Sequence, residues 1–163
     1  MKFEDYRIGS IIKDNLKELG IIKPTDIQYR SIPHILKKED VLAIAQTGTG
    51  KTAAFAVPII HMVAEGKRTQ RRPDGIKCLI LVPTRELAIQ LSTVFTDIAK
   101  GTNLTILDVY GGVDQEPQIK QLQLGADILI VTPGRMFDLI SQGYIRLNRV
   151  NTLVLDEADH MLD

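Results

Sequence analysis

The stretch of this sequence best equipped for chemistry is Ala45-Gln46-Thr47-Gly48-Thr49-Gly50-Lys51-Thr52. It follows the apolar run Val41 to Ala45 and leads into Ala53, Ala54 and Phe55, which read as the start of a helix. In that setting glycines let the backbone fold so that its N–H groups converge on phosphate oxygens, and the helix N-terminus adds positive potential. Lys51 supplies a point charge, and the Thr52 hydroxyl can ligate magnesium. The first glycine of the general pattern G-x-x-x-x-G-K-[ST] is replaced here by Ala45. Gly-rich turns between strand and helix are common, but one that ends in Gly-Lys-Thr after an all-apolar strand points to a phosphate cradle.

Carboxylates form the second group. Asp156-Glu157-Ala158-Asp159 follows the apolar run Thr152 to Leu155, which puts Asp156 and Glu157 at the C-terminal edge of a sheet, where α/β folds bind ligands. In phosphate-loop enzymes a carboxylate there holds magnesium, and a neighbouring one can orient and deprotonate the attacking water. Alone, the two acids could equally cap the positive end of the next helix. The phosphate loop upstream favours the chemical reading.

These groups need a scaffold, and the apolar pattern supplies one. Val41–Ala45, Cys78–Val82, Leu104–Val109, Asp127–Val131 and Thr152–Leu155 are short runs rich in Val, Ile and Leu, read as buried strands. Between them lie segments of helical periodicity, such as Thr84 before Leu87, Leu91 and Phe95, and Thr132 ahead of Pro133 at a first helical position. Strand and helix in alternation imply an α/β fold with a parallel sheet covered on both faces. Two helices precede it, one opened by Ser10 and closed by Gly20, the other opened by Thr25. The basic, Pro- and Gly-punctuated stretch Glu65 to Gly75 reads as an exposed loop, with Lys67, Arg68, Arg71 and Arg72 as a solvated connector.

Composition sets the outer bounds. With 163 residues there is room for one domain with a sizeable core and not for two. Twenty Lys+Arg balance twenty Asp+Glu, so any polyanion site must be local. No stretch has the length of a membrane span or the pattern of a signal peptide, so a cytoplasmic, soluble protein is expected. The single cysteine, Cys78, lies in an apolar run and reads as a small buried hydrophobe.

Taken together and in order, Ala45 to Thr52, Pro83-Thr84-Arg85-Glu86-Leu87-Ala88-Ile89-Gln90, Thr132-Pro133-Gly134-Arg135 and Asp156 to Asp159 resemble the motifs of DEAD-box ATP-dependent RNA helicases. Upstream, Gly20-Ile21-Ile22-Lys23-Pro24-Thr25-Asp26-Ile27-Gln28, with Phe3 before it, looks like the family's Q motif. The resemblance implies a three-layer RecA-like domain with a mainly parallel sheet, residues 1–38 carrying the Q motif and residues 39–163 the ATP-binding core. Its cofactors would be ATP and Mg2+. It assigns Gln28 to the adenine edge, with Ile21 and Lys23 beside it. Thr47, Gly48, Thr49, Gly50, Lys51 and Thr52 fall to the phosphates, Thr52 and Asp156 to magnesium, Glu157 to water, and Asp159 to coupling between domains. A glutamine amide both donates and accepts, as the adenine edge does. Thr25-x-x-Gln28 is also a capping box, however, and the two readings are compatible. Ile21 stands where many members carry an aromatic.

By the same resemblance Pro83, Thr84, Arg85, Gly111, Gly112, Thr132, Pro133, Gly134 and Arg135 line a surface that grips the RNA backbone. Arginine forks onto phosphate, threonine hydroxyls and helix N-termini donate to it, and glycines allow close approach. Taken singly, Thr84 and Thr132 are equally good helix caps and Gly111-Gly112 a plain turn. The family continues into a Ser-Ala-Thr segment and a second RecA-like domain. The sheet is therefore expected to be incomplete at its C-terminal end, with open edges that another strand or a second copy can fill. A DNA-directed motor with the same phosphate loop and Asp-Glu pair, or a nucleotide-gated RNA-binding scaffold, would share most of these residues.

Overall fold

The computed structural model describes residues 1–45, 50–69 and 75–161. The chain divides into two compact units, residues 1–69 with 94–103 and residues 70–93 with 104–163.

In the first unit a 3-10 turn, Phe3–Asp5, precedes helices α1 (Ser10–Glu18), α2 (Asp26–Leu36) and α3 (Lys51–Thr69). The residues from Val94 onward of helix α4 (Arg85–Ala99) belong to this unit as well. Gly20 ends α1 as the sequence predicts. It sits at φ +74, and the N–H groups of Gly20 and Ile21 return to the carbonyls of Lys17 and Leu16, the paired bonds of a Schellman stop. Ile12, Leu16, Ile32, Ile59, Ile60, Phe95 and Ile98 are fully buried, and the rings of Phe55 and Phe95 pack with centroids 6.0 Å apart. Asn15, buried among them, donates to the carbonyls of Ile98 and Lys100, so its polar group costs nothing unpaired.

Two expectations fail here. The stretch Glu65 to Thr69 is the last turn of α3 and not loop. Arg68 pairs with Glu65 three residues back at 2.7 Å, and the Thr69 hydroxyl donates to the Glu65 carbonyl, so the charge run is the solvated face of a helix. Arg71 and Arg72 lie outside the described residues. Val41–Ala45 forms no strand, and Leu42 and Ile44 are each 89% exposed. A strand exists only through a neighbour's hydrogen bonds, and among the described residues no ladder reaches this run.

His61 of α3 accepts a hydrogen bond at Nδ1 from the Gly9 N–H at 3.0 Å, and burial pushes its pKa below 6.5. A neutral ring is thus built into the unit. As pH falls below 6.5 the unfolded chain takes up a proton that the folded ring resists, so stability is expected to fall with pH there. Urea titrations from pH 7.5 to 5 should show the midpoint falling for the natural chain, with a flatter course in His61→Asn. Equal slopes in the two would remove His61 as the cause.

The second unit is built on a four-stranded parallel sheet in the order β2-β3-β1-β4. Its strands are β1 (Cys78–Leu81), β2 (Ile106–Val109), β3 (Ile128–Val131) and β4 (Thr152–Leu155), each within a run read as strand from sequence. Helices α5 (Glu116–Leu124) and α6 (Pro133–Ser141) complete it, together with Arg85–Thr93 of α4. Alternation divides the strand residues between faces. Leu79, Val109, Leu129 and Val131 pack with Ile119, Leu122, Met136 and Leu139 in one core. Cys78, Ile80, Ile128 and Ile130, on the opposite face, are fully buried too, which is why β1 and β3 are apolar throughout. Burial lifts the Cys78 thiol to a pKa of about 12, consistent with a packing role.

At the opposite end of the strands, Lys77 and Asp127 form a buried pair at 3.9 Å. Asp127 also accepts from the Thr105 N–H at 2.8 Å, and Lys77 donates to the Gly75 carbonyl at 2.7 Å. Among the described residues β4 pairs with β1 and with no other strand, and it exposes Leu153 and Leu155. Among the described residues, no helix is long and apolar enough to cross a membrane.

Candidate functional site

Thr25 takes an extended backbone at the N-cap of α2 and Gln28 is its third helical residue, the capping box that the sequence allows. The Gln28 carbonyl oxygen accepts from the Thr25 N–H at 2.9 Å. Its amide nitrogen donates to the Gly50 carbonyl at 3.0 Å, so one side chain ties the start of α2 to the residue that precedes α3. Gln28 is only 3% exposed, and its amide keeps one further N–H and one further lone pair. Gly50 sits at φ +81, and a Cβ there would lie 2.5 Å from the Gln28 amide nitrogen and 2.9 Å from the Thr25 hydroxyl. Lys51 and Thr52 open α3, both half-buried. Ile21 is half-buried behind α1, and Lys23 is exposed. Thr47, Gly48 and Thr49 lie outside the described residues.

In the second unit the parallel sheet does the positioning. Because all four strands run the same way, the segments that leave their C-terminal ends emerge on one edge. Following the strand order, these are Gly111-Gly112 after β2, Thr132 to Arg135 after β3, Pro83 to Arg85 after β1, and Asp156-Glu157 after β4. Strands about 4.8 Å apart spread this row over about 14 Å. Thr84 accepts at its hydroxyl from the Leu87 N–H at 3.2 Å, the cap foreseen for it. Thr132 is the N-cap residue of α6 but makes no cap bond with its side chain, which leaves the hydroxyl for other partners. Arg85 is exposed and lies 3.9 Å from the Glu86 carboxylate. A Cβ at Gly111, Gly112 or Gly134 would meet no atom within 4 Å, so the space over each is open.

Asp156 extends the β1–β4 ladder by one bond, its N–H donating to the Leu81 carbonyl at 3.0 Å, and the residue is buried. Glu157 then turns the chain at φ +51, an uncommon conformation for a residue with a side chain, and stands exposed. Asp159 lies exposed in the 3-10 turn Ala158–Met161. Taken separately, the Thr52 hydroxyl and the Asp156 carboxylate are each hard oxygen donors of the type magnesium takes.

Sequence reasoning missed Gln118. It sits on the buried face of α5 beside Ile119 and Leu122, donates to the Tyr110 carbonyl at 3.1 Å and accepts from Arg135 at 2.8 Å. Arg135 donates in addition to the Val113 carbonyl at 2.8 Å. A polar residue inside an otherwise apolar helical stripe was the available signal.

Against this geometry, the family description "DEAD/DEAH box helicase" matches residues 25–163. The chain belongs to the DEAD/DEAH box helicase family. Among curated members it is 45% identical over 99% of its length to the ATP-dependent RNA helicase DBP2 of Encephalitozoon cuniculi. It is 40% identical, again over 99%, to the DEAD-box ATP-dependent RNA helicase CshA of Bacillus subtilis. The chain spans about a third of each of those helicases, 32% and 31%. A crystal structure of a DEAD box protein from Methanococcus jannaschii superposes with a TM-score of 0.89 at 42% identity, covering 99% of this chain and 43% of that one. The DEAD-box helicase domain therefore supplies the fold.

Proposed function

We propose that this chain is the ATP- and RNA-binding N-terminal portion of an ATP-dependent RNA helicase, which unwinds or remodels RNA without reading its sequence. The observation that carries the proposal is the row of family motifs along one sheet edge, three backbone-gripping segments followed by the paired carboxylates. The related proteins bear the name RNA helicase, which favours RNA over DNA as the polymer.

In this reading residues 1–38 carry the Q motif and residues 39–163 the nucleotide-binding core. Gln28 selects adenine with the donor and acceptor its cap and loop bonds leave over, flanked by Ile21 and Lys23. Thr47, Gly48, Thr49, Gly50 and Lys51 hold the phosphates. Thr52 and Asp156 provide oxygens for Mg2+, which when bound offsets phosphate charge. Glu157 orients and deprotonates water, and Asp159 couples to the second RecA-like domain of the full protein. Pro83, Thr84, Arg85, Gly111, Gly112, Thr132, Pro133, Gly134 and Arg135 form the RNA surface. Contacts of these types address phosphate and sugar, so binding should be sequence-independent and salt-sensitive. The exposed leucines of β4 support pairing of its free edge with a further strand, and in the isolated chain a second copy could serve.

Titration with ATP and GTP in magnesium tests the nucleotide half. Binding should favour ATP, and Gln28→Ala should erase most of that preference, a change of about tenfold for a lost pair of hydrogen bonds. Lys51→Ala should weaken both nucleotides. Equal ATP and GTP affinity in the natural chain would refute the role given to Gln28.

A further inference from the structure

We infer that Gln118 is a positioning residue for the RNA surface, clasping the Gly111-Gly112 turn through Arg135. The inference rests on the reading of that turn as RNA-binding. Two adjacent glycines have the largest backbone freedom the chain can offer, and ordering them costs more entropy than ordering any other pair. No neighbouring atom lies where a side chain of either would point, and Gly112 takes φ +80, so neither glycine contributes a side chain that could pack the turn in place. Hydrogen bonds to its flanks do. Gln118 donates to the Tyr110 carbonyl just before the glycines, and Arg135 donates to the Val113 carbonyl just after them. The circuit closes between the two side chains, where the guanidinium donates to the Gln118 carbonyl oxygen at 2.8 Å.

The chemistry requires glutamine. Its partner on one side is a cation that only donates, and on the other a carbonyl that only accepts, so the bridging group must accept and donate at once. Glutamate can accept from Arg135 but presents a second acceptor to Tyr110. Methionine, of similar volume, can do neither. Gln118 is also buried, only 7% exposed, so water is a poor substitute for either bond. Arg135 spends two of its donors on the clasp and keeps others for a phosphate. One buried side chain thereby fixes two elements of the RNA surface, the turn after β2 and the arginine at the head of α6.

The native-length protein with Gln118→Met and Gln118→Glu, and Arg85→Ala as a control, provides the test. Titration of single-stranded RNA of mixed sequence should show affinity about tenfold weaker in Gln118→Met, the size of a lost preorganisation worth one such factor. Gln118→Glu, which keeps the Arg135 anchor, should recover part of the loss. ATP affinity without RNA should stay unchanged in both. The slope of log K against log salt should also hold, because no phosphate contact is removed, whereas Arg85→Ala should flatten it. Hydrogen exchange at residues 111–113 should accelerate in Gln118→Met. RNA affinity within twofold of the natural protein in Gln118→Met, with Arg85→Ala weakened, would overturn the inference alone. No change in any of the three variants would overturn the RNA-surface reading as well. Parallel losses in RNA affinity, ATP affinity and melting temperature would make Gln118 an ordinary core residue and overturn the positioning role.

Discussion

Gly50→Ala should weaken ATP binding about 100-fold, an effect disproportionate to one methyl group. Two costs act together. An L-residue at φ +81 is strained by about 1–2 kcal/mol. The new Cβ would also stand 2.5 Å from the Gln28 amide nitrogen and 3.1 Å from the Thr25 Cγ2, so the buried glutamine must give way. Moving it sacrifices its bonds to the Gly50 carbonyl and the Thr25 N–H, at about 0.5–1.5 kcal/mol each. The sum is about 3 kcal/mol, or about 100-fold. The loss is expected to fall on nucleotide binding because, under the proposed function, the displaced groups are the residue that selects adenine and a glycine that holds phosphate. Gly66→Ala is the control. It lies within α3, has no positive φ and no atom within 4 Å of its missing Cβ, and should be neutral or stabilise the helix by about 1 kcal/mol. Isothermal titration with ATP and a thermal melt of each variant decide the matter. An ATP affinity within threefold of the natural chain in Gly50→Ala would show that the Gln28–Gly50 link has no part in binding.

That link shows how far the sequence could be read. The box Thr25-x-x-Gln28 is a local pattern, and the bond from the Thr25 N–H to the Gln28 side chain spans three residues, so spacing alone foretells it. The bond from Gln28 to Gly50 crosses 22 residues and is decided by tertiary packing, which periodicity does not report. The same division runs through the fold. β1 and β3 are buried on both faces, and their unbroken apolar runs name them. Val41–Ala45 has an equally apolar run but no ladder among the described residues, because hydrophobicity specifies a preference for burial and not the neighbour that satisfies it. Lys67 and Arg68 mislead for a related reason: charge and nearby glycines suggest loop, while the Glu65–Arg68 pair and a long-range bond from Lys67 to the Asn103 carbonyl keep α3 going. Gln118 shows in the sequence only as a polar residue in an apolar stripe, and its bonding is hidden for the same cause as the Gly50 bond. Its partners, Tyr110 just after β2 and Arg135 of α6, lie outside its own helix.

The backbone of Glu157 leads to a prediction with opposite signs for stability and turnover. In the DEAD string the carboxylate assigned to water stands at φ +51, where a side chain costs about 1–2 kcal/mol and a glycine almost nothing. Its neighbours fix the turn: Asp156 is tied to Leu81 by the last bond of the ladder, and the His160 N–H returns to the Glu157 carbonyl at 3.0 Å. A strained conformation held from both sides is the mark of a position kept for function at the expense of stability. Glu157→Gly should therefore raise the chain's stability by about 1 kcal/mol and at the same time lower RNA-stimulated ATP turnover of the native-length protein by about 100-fold or more, the usual worth of a general base. Glu157→Gln, which keeps the side chain and its strain but cannot take a proton, should lose turnover to the same degree with unchanged stability. ATP affinity should be intact in both, because the role proposed for Glu157 is on the water and not on the phosphates. Chemical denaturation and steady-state kinetics of the pair separate the two claims. A destabilised glycine variant would mean that the turn is not strained, and a Glu157→Gln protein retaining a third or more of its turnover would move the catalytic base to another residue. Stability gained and turnover lost in glycine, with turnover alone lost in glutamine, would tie the strain at this corner of the sheet to the carboxylate that the chemistry needs there.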